Sequence, residues 1–276
     1  MQGKLYVVAT PIGNLEDISR RAANVLSTVQ IIAAEDTRRT RVLLQHLGVQ
    51  DGSGGNRELV SLHEHNEDKA SPYLLKRMQE GADVALVSDA GTPLINDPGY
   101  LLIKLAAAKG VQTLPVPGAS ALTALLSVCP LPCHPFRFIG FLPTKRQARK
   151  KLLAAAIAQP EAMIFLESPK RIRGTLETMA ELGTRRVMLG REMTKQYETF
   201  YVGPAAEVLS QLADAPKGEF IGLLEAQEIS TDQAAAESVL HALLQELSPS
   251  QAARLAAQIS GGNKQDLYRK ALEIQE

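Results

Sequence analysis

The chain has only two cysteines, no excess of charge of either sign and no apolar run long enough to cross a bilayer, and each shortage removes a class of protein. Cys129 and Cys133 are too few for a disulfide framework. With only His134 close by they fall short of a structural zinc site, so they read as buried free thiols and no metal is expected. A membrane span needs about 20 consecutive apolar residues, and none is present. Met1-Gln-Gly-Lys4 runs straight into strand-like sequence with no signal peptide ahead of it, which makes the cytoplasm the expected compartment. Lysine plus arginine and aspartate plus glutamate number 30 each, so net charge gives no sign of a nucleic-acid partner. Walker A, G-x-S-x-G, H-E-x-x-H and G-x-G-x-x-G motifs are all missing.

What is there is organised around Leu86-Val-Ser-Asp-Ala-Gly-Thr-Pro-Leu-Ile-Asn-Asp-Pro-Gly-Tyr100. An apolar run, Val84–Val87, breaks at Ser88 into turn-rich sequence that cannot continue a strand. Helix spacing then resumes at Leu101, Leu102, Leu105 and Ala106, with Asp97 expected as the N-cap and Pro98 in the first turn. Strand, loop and helix make half of a parallel βαβ unit, whose ligands gather outside the carboxyl ends of the strands.

The 276 residues are enough for more than one domain. Leu5-Tyr-Val-Val-Ala9, Ile31-Ile-Ala-Ala34, Leu59-Val60, Val84–Val87 and Val111-Gln-Thr-Leu-Pro115 alternate with helical patterns, predicting an open, mainly parallel sheet over residues 1–128. Gln50–Asn56 reads as a flexible glycine-rich loop. Cys129–Pro135, with three prolines, reads as a linker. Strands are expected near Phe136, Met163, Arg186, Thr199 and Gly218, and nothing helical separates the Arg186 and Thr199 strands. They should therefore pair antiparallel, giving a mixed sheet over 136–226. Residues 231–276 read as three helices, the last two joined across Ser260-Gly-Gly-Asn263. A helix-turn-helix and a plain helical appendage describe them equally well. The fold class is α/β with a small helical tail.

Taken singly, each candidate has a dull explanation. Asp89 is a turn residue, Ser120 an N-cap, and Glu35 and Asp36 acids that favour a helix N-terminus. His63 and His65 alternate as a strand end would. Basic residues crowd the segment from Lys145 to Arg191, which solvated helix faces would also explain. Joint placement argues otherwise: loops at Thr10–Asn14, Ser88–Thr92 and Pro117–Ala121 each follow a parallel strand and should open on one edge, where they can hold a small ligand.

Seven motifs then occur in order: Val8-Ala-Thr-Pro-Ile-Gly-Asn14, Ala34-Glu-Asp-Thr-Arg38, Ser88-Asp-Ala-Gly-Thr-Pro93, Val116-Pro-Gly-Ala-Ser120, Phe138-Ile-Gly-Phe-Leu-Pro143, Glu167-Ser-Pro-Lys-Arg171 and Arg191-Glu-Met-Thr-Lys195. With the tail ending Asn263-Lys-Gln-Asp-Leu-Tyr268, the chain resembles over nearly its whole length the bacterial 16S rRNA cytidine-2′-O-ribose methyltransferases of the tetrapyrrole (corrin/porphyrin) methylase superfamily. The resemblance implies a two-domain class III methyltransferase fold with S-adenosyl-L-methionine as co-substrate in the interdomain cleft. It also implies a homodimer, no membrane, and 16S rRNA of the small ribosomal subunit, at its decoding region, as partner. Cofactor contacts carry over onto Pro11, Ile12, Asp89, Gly91, Thr92, Ser120, Ala121, Leu166 and Glu192. Tetrapyrrole-acting members have a glycine-rich first loop where this chain has Thr10-Pro-Ile-Gly13, which favours the rRNA branch.

A ribose hydroxyl is a poor nucleophile at neutral pH, so a proton acceptor is needed. Asp36 or Glu192 is the expected base, with Lys145 lowering the hydroxyl pKa, and Arg38, Arg39, Arg146, Lys170 and Arg171 are expected to hold RNA phosphates. A methyltransferase for a small tetrapyrrole precursor and a non-catalytic RNA-binding module are the competing readings.

Overall fold

Short aliphatic runs build the first sheet. In the structure, a computed structural model that describes residues 2–49, 57–183, 185–227 and 233–275, they form Leu5–Val8 (β1), Ile31–Ala34 (β2), Glu58–Ser61 (β3), Val84–Val87 (β4) and Thr113–Val116 (β5). The order is β3-β2-β4-β1-β5 and every neighbouring pair is parallel. Between the strands run Arg20–Thr28 (α1), Thr37–His46 (α2), Glu67–Gln79 (α3) and Tyr100–Ala108 (α4), and Ala121–Ser127 (α5) follows β5. Side chains alternate between the faces. Leu5, Val84 and Leu86 pack with Leu74 and Met78 of α3 and Leu102 of α4, while Val8, Ala85 and Val87 pack with Leu26 of α1 and Leu44 of α2. Each fully buried leucine or methionine contributes about 1.5–3 kcal/mol. The loop expected at Gln50–Asn56 lies outside the described residues.

Register decides where the site can be. Val8 is opposite both Val87 and Val116, and Ala34 is opposite Val87, so β1, β2, β4 and β5 finish level. The loops that begin at Ala9, Glu35, Ser88 and Pro117 therefore open on one edge, with the β4 loop at its centre.

One expectation at that centre is corrected. The helix after β4 begins at Tyr100, not beside Asp97, and its N-cap is Gly99 at φ 120°. Glu67 at the start of α3 takes over the capping role: its Oε1 accepts from the amides of Gly99 (3.1 Å) and Leu101 (2.6 Å). Asp97 is left to the loop.

The second sheet comprises Phe136–Phe141 (β6), Ala162–Glu167 (β7), Val187–Arg191 (β8), Thr199–Gly203 (β9) and Phe220–Leu224 (β10), in the order β6-β7-β10-β8-β9. β6 and β7 are parallel and joined through Arg146–Ile157 (α6); the remaining pairs are antiparallel, as the missing helix between β8 and β9 requires. One face packs on α6, on Ile172–Glu181 (α7) and on Ala205–Gln211 (α8), through Leu153, Leu176 and Val208. The other face, with Ile164, Met188 and Ile221, packs against Leu125 of α5 and Ile12 of the first loop. The second sheet thus covers the edge on which the first sheet's loops open.

The chain divides into two compact units, Met1–Ala226, which holds both sheets, and Gln227–Glu276. In the second unit Gln233–Leu244 (α9), Pro249–Ser260 (α10) and Lys264–Gln275 (α11) pack around Leu240, Ala252, Ala256 and Leu267. Gly261, at φ 73°, ends α10 in the left-handed conformation that its lack of a Cβ permits. The start expected for the first of these helices, Thr231, lies outside the described residues.

Candidate active site

The loops on the carboxyl edge are tied to one another. Thr10 and Gly91 exchange backbone hydrogen bonds of 2.9 and 3.0 Å, and the Thr10 hydroxyl donates to the Ser88 carbonyl at 3.2 Å. The Thr92 hydroxyl donates to the Ala119 carbonyl at 3.1 Å. Asp89 accepts the Asp36 amide at 2.9 Å and lies 3.4 Å from Nε of Arg39. Four loops from four strands become one rigid floor.

Above the floor is a cavity of about 450 Å³ closed by the second sheet. Ile12, Asp89, Gly91, Thr92, Ser120 and Ala121 line one side, and Phe138, Phe141, Leu166, Met193 and Ile221 the other. Gly91, at φ 84°, has Ile12 Cγ2 3.4 Å from where a Cβ would stand, so backbone rather than side chain forms that wall. Pro11 lines a second recess of about 260 Å³ that shares Ile12, Arg39, Asp89, Lys195 and Glu219 with the first.

Glu35, Asp89 and Asp97 are among the acidic residues that line the main cavity, with Glu167 and Glu219. Burial raises the Glu35 pKa, with the Asp89 charge adding to it. Burial also pushes Asp97 up to about 6, helped by the Glu35 and Asp89 charges and opposed by the Ser88 hydroxyl. Asp97 is thus a carboxyl poised near neutrality inside a cleft, the pattern expected of a group that moves a proton. The same negative, partly apolar cavity suits a ligand with a positive centre and an apolar body. S-adenosyl-L-methionine has both, and the residues fit it.

The other expected residues are distributed differently. Arg39 lines the cavity. Asp36 caps α2 and takes Arg38 in a fork, Nη2 to Oδ2 at 2.6 Å. The Arg38 side chain, then its amide, hold the Asp36 carboxyl down at about 2, and neither residue is on the cavity wall. A base with so low a pKa and a guanidinium across it is ill-suited to take a hydroxyl proton. Glu192 accepts the Glu219 amide at 2.9 Å and Lys195 Nζ at 3.0 Å. The Glu219 amide, then Lys195, outweigh burial and lower its pKa. It is Lys195, not Glu192, that lines the cavity. Burial works against the Lys195 ammonium, but its bonds to Glu219 and Glu192 prevail and raise its pKa.

Lys145 is exposed at the N-cap of α6, away from the cavity walls, and Lys170 is exposed in the turn after β7. Arg146 pairs with Glu181 at 3.1 Å. Arg171 is turned inward: it pairs at 2.6 Å with Glu167, whose side chain is wholly buried, and donates to the Leu142 carbonyl at 3.1 Å. Its work is to neutralise a buried carboxylate. His63 and His65 meet edge-on, their ring centroids 6.0 Å apart. Sequence reasoning picked the loop that carries Asp97 as a binding site but gave Asp97 itself a helix-capping role, and it left Glu35 as an acid before a helix. It missed Lys195 by choosing its neighbour.

Comparison with known proteins agrees with this geometry. The signature of the tetrapyrrole (corrin/porphyrin) methylases matches residues 4–209, and that of the RsmI C-terminal HTH domain matches residues 230–275. Ribosomal RNA small subunit methyltransferase I of Escherichia coli O157:H7 is 45% identical, covering 99% of this chain and 96% of that protein. Its counterpart in Pseudomonas aeruginosa is 44% identical, covering 99% and 98%. Among solved structures, the methyltransferase CobJ superposes with a TM-score of 0.60 at 19% identity, over 81% of this chain and 94% of that one. Uroporphyrin-III C-methyl transferase from Thermus thermophilus, complexed with S-adenyl homocysteine, gives 0.56 at 19% identity, over 81% and 98%. At such identities the two structures speak for the fold alone.

Proposed function

The chain belongs to the tetrapyrrole (corrin/porphyrin) methylase family, and from that premise we propose that it 2′-O-methylates a cytidine ribose of 16S rRNA in the small ribosomal subunit. It is a methyltransferase, with S-adenosyl-L-methionine as co-substrate. The rRNA substrate is supported by near full-length identity to small-subunit rRNA methyltransferases and by the tail's match to the HTH domain. A homodimer in the cytoplasm, where ribosomes are, belongs to the same proposal. Among the described residues, no helix is long and apolar enough to cross a membrane.

The observation that carries the chemistry is Asp97, raised to about 6 beside Glu35 and Asp89 in the cleft. When bound, S-adenosyl-L-methionine supplies an electrophilic methyl on a sulfonium. Ile12, Gly91, Thr92, Ser120, Ala121 and Leu166 would hold it, and the carboxylates would complement its charge. The ribose 2′-oxygen would take the methyl as the S–CH3 bond breaks, its electron pair staying on sulfur in the departing neutral thioether, and an Asp97 oxygen would accept the hydroxyl proton. A carboxylate with a pKa near 6 is deprotonated at neutral pH and still basic enough to accept a proton. Glu192 acts one step away, fixing Lys195 against the cavity. The rigid loop floor aligns the reactants, and alignment is most of what such a displacement requires.

The test is transfer of tritium from labelled S-adenosyl-L-methionine to unmodified small subunits, to naked rRNA and to a sample without RNA. Label on one cytidine ribose is the expected result. Cofactor binding with no label on any rRNA ribose would overturn the substrate reading and leave the fold intact.

A further inference from the structure

Strand β6 breaks register in front of the cavity. Phe138 pairs with Ile164 of β7 and Phe141 with Leu166, so β6 uses three steps where β7 uses two. In an unbroken strand, residues three apart point to opposite faces. Ile139 faces the opposite core by ordinary alternation, and the extra residue returns Phe141 to the face of Phe138, Ile164 and Leu166. Gly140 makes this possible: its φ is 68°, and a Cβ there would collide with Oδ1 of Asn96 from the β4–α4 loop. Bulges beside active sites commonly re-aim a side chain, and this one aims Phe141.

The aim is into the cleft. Phe141 is 55% exposed and lines the cavity, and so does Ile95, 44% exposed and next to the Asn96 that packs on Gly140. Single exposed apolar residues are ordinary. Two at one cavity, brought together by a bulge and by a loop locked onto it, are a built surface. Asp97 follows two residues after Ile95.

We propose that Ile95 and Phe141 form an apolar slot for the nucleobase of the target nucleotide, unstacked from the RNA, so that its ribose 2′-hydroxyl comes to Asp97. This rests on the rRNA reading above. In this proposal the target nucleotide swings out of its stack to reach a cavity walled by two sheets, as nucleotides do for enzymes that work inside a closed pocket. A displaced base then needs a replacement for its lost neighbours, and an aromatic face provides one whatever the base. The cofactor's adenine is the rival occupant, and the experiment separates the two.

Phe141→Ala, Phe141→Leu, Phe141→Tyr and Ile95→Ala are assayed for methyl transfer to unmodified small subunits, with cofactor Kd measured by calorimetry without RNA. The alanine and leucine variants at Phe141 should lose on the order of 10- to 100-fold in kcat/KM for the subunit, the range of one lost base stack. Phe141→Tyr, which keeps an aromatic face, should recover most of what Phe141→Leu loses, Ile95→Ala should lose a smaller factor than Phe141→Ala, and the cofactor Kd should not move in any of them. Wild-type kcat/KM in Phe141→Ala overturns the slot. So does a cofactor Kd that weakens in step with turnover, which assigns the surface to adenine, or Phe141→Leu matching Phe141→Tyr, which removes stacking as the cause. If the wild-type protein labels no rRNA, the substrate reading itself has failed. An active wild type with an indifferent Phe141→Ala defeats the slot alone. Because Phe141 is more than half exposed, these changes leave the core in place.

Discussion

Asp97→Asn should make the protein more stable and less active, and both effects follow from one cause. Burial, then the charge of Glu35 and that of Asp89, raises the Asp97 carboxyl from its ordinary 3.8 to about 6, while the Ser88 hydroxyl pulls the other way. The folded protein therefore binds this proton more tightly than the unfolded chain. Its contribution to stability is fully present below about pH 4 and is lost as pH rises through about 6. At about 1.4 kcal/mol per pH unit, a displacement of this size stands for about 3 kcal/mol in a fully buried group. Asp97 is only half-buried, so solvent screening brings the figure to about 1–2 kcal/mol. Asparagine keeps the shape and never ionises. In urea denaturation the two proteins should match near pH 4, and the variant should lead by about 1–2 kcal/mol above pH 7. Turnover should move oppositely. The wild-type rate should climb through about pH 6, and the variant should fall by on the order of 10²–10⁴ with no such climb. Equal stabilities at both ends of the pH range would refute the electrostatic reasoning, and full turnover by the variant would remove Asp97 as proton acceptor.

Arg171→Ala should cost about 3–5 kcal/mol, because it strands the buried Glu167 carboxylate; a loss under about 1 kcal/mol on denaturation would return Arg171 to the list of surface cations. Gly140→Ala meets both a left-handed φ and Asn96 Oδ1, and should lower stability by about 1–3 kcal/mol, read as a fall in Tm. Lys145→Ala and Lys170→Ala should each reduce the salt slope of RNA binding by about 1, measured by filter binding over a salt series, and an unchanged slope would mean that neither touches phosphate. Thr194→Gly relieves a β-branched residue at φ 65° but removes the hydroxyl that accepts the Asn14 amide at 3.0 Å. The two effects, about 1 kcal/mol each, should nearly cancel in stability while kcat/KM falls, and an unchanged kcat/KM would show that the bond does not matter to the cleft.

The parts of the fold legible in the sequence are those set by local pattern. Runs such as Val84–Val87 and Ile31–Ala34 are apolar throughout and bounded by turn residues, and they form buried parallel strands. The lack of a helix between β8 and β9 was enough to forecast an antiparallel pair. What stayed hidden depends on a distant residue or on burial. Asn96-Asp-Pro-Gly99 reads as a helix start until Glu67, from another helix, takes the cap and leaves Asp97 to the cavity. Arg171 reads as an RNA ligand because it stands in a segment crowded with basic residues, and the burial of Glu167, which claims it, does not show in the sequence. Gly140 did carry a signal, since a glycine inside a strand marks a bulge or a close approach, and here it marks both. Asp36 is the reverse case, where the plain reading as an acid at a helix N-terminus describes what it does.

Backbone strain is gathered in the two loops that border the cleft. Among the described residues, the non-glycine positions with positive φ are Leu94, Asn96, Glu192 and Thr194, at 73°, 72°, 50° and 65°. The first two are in the β4–α4 loop and the last two in the β8–β9 loop. Asparagine tolerates this region, but leucine, glutamate and above all β-branched threonine do not adopt it freely. Each loop makes the contact that joins one sheet to the other. Asn96 packs on Gly140 of β6, and Thr194 accepts the Asn14 amide while it and Lys195 crowd the face of Gly13. Conformations costing on the order of 1–3 kcal/mol each persist only where the surroundings over-determine them. Here the surroundings are the bulge on one side and the Glu192–Lys195–Glu219 network on the other. The cavity walls would lose their spacing if those turns relaxed, because Ile95 follows directly on strained Leu94, with Asp97 just beyond it, and Met193 and Lys195 flank strained Thr194. The strain is thus located where relaxation would move the groups that must meet the substrate, which is the arrangement expected when positioning carries most of the catalysis.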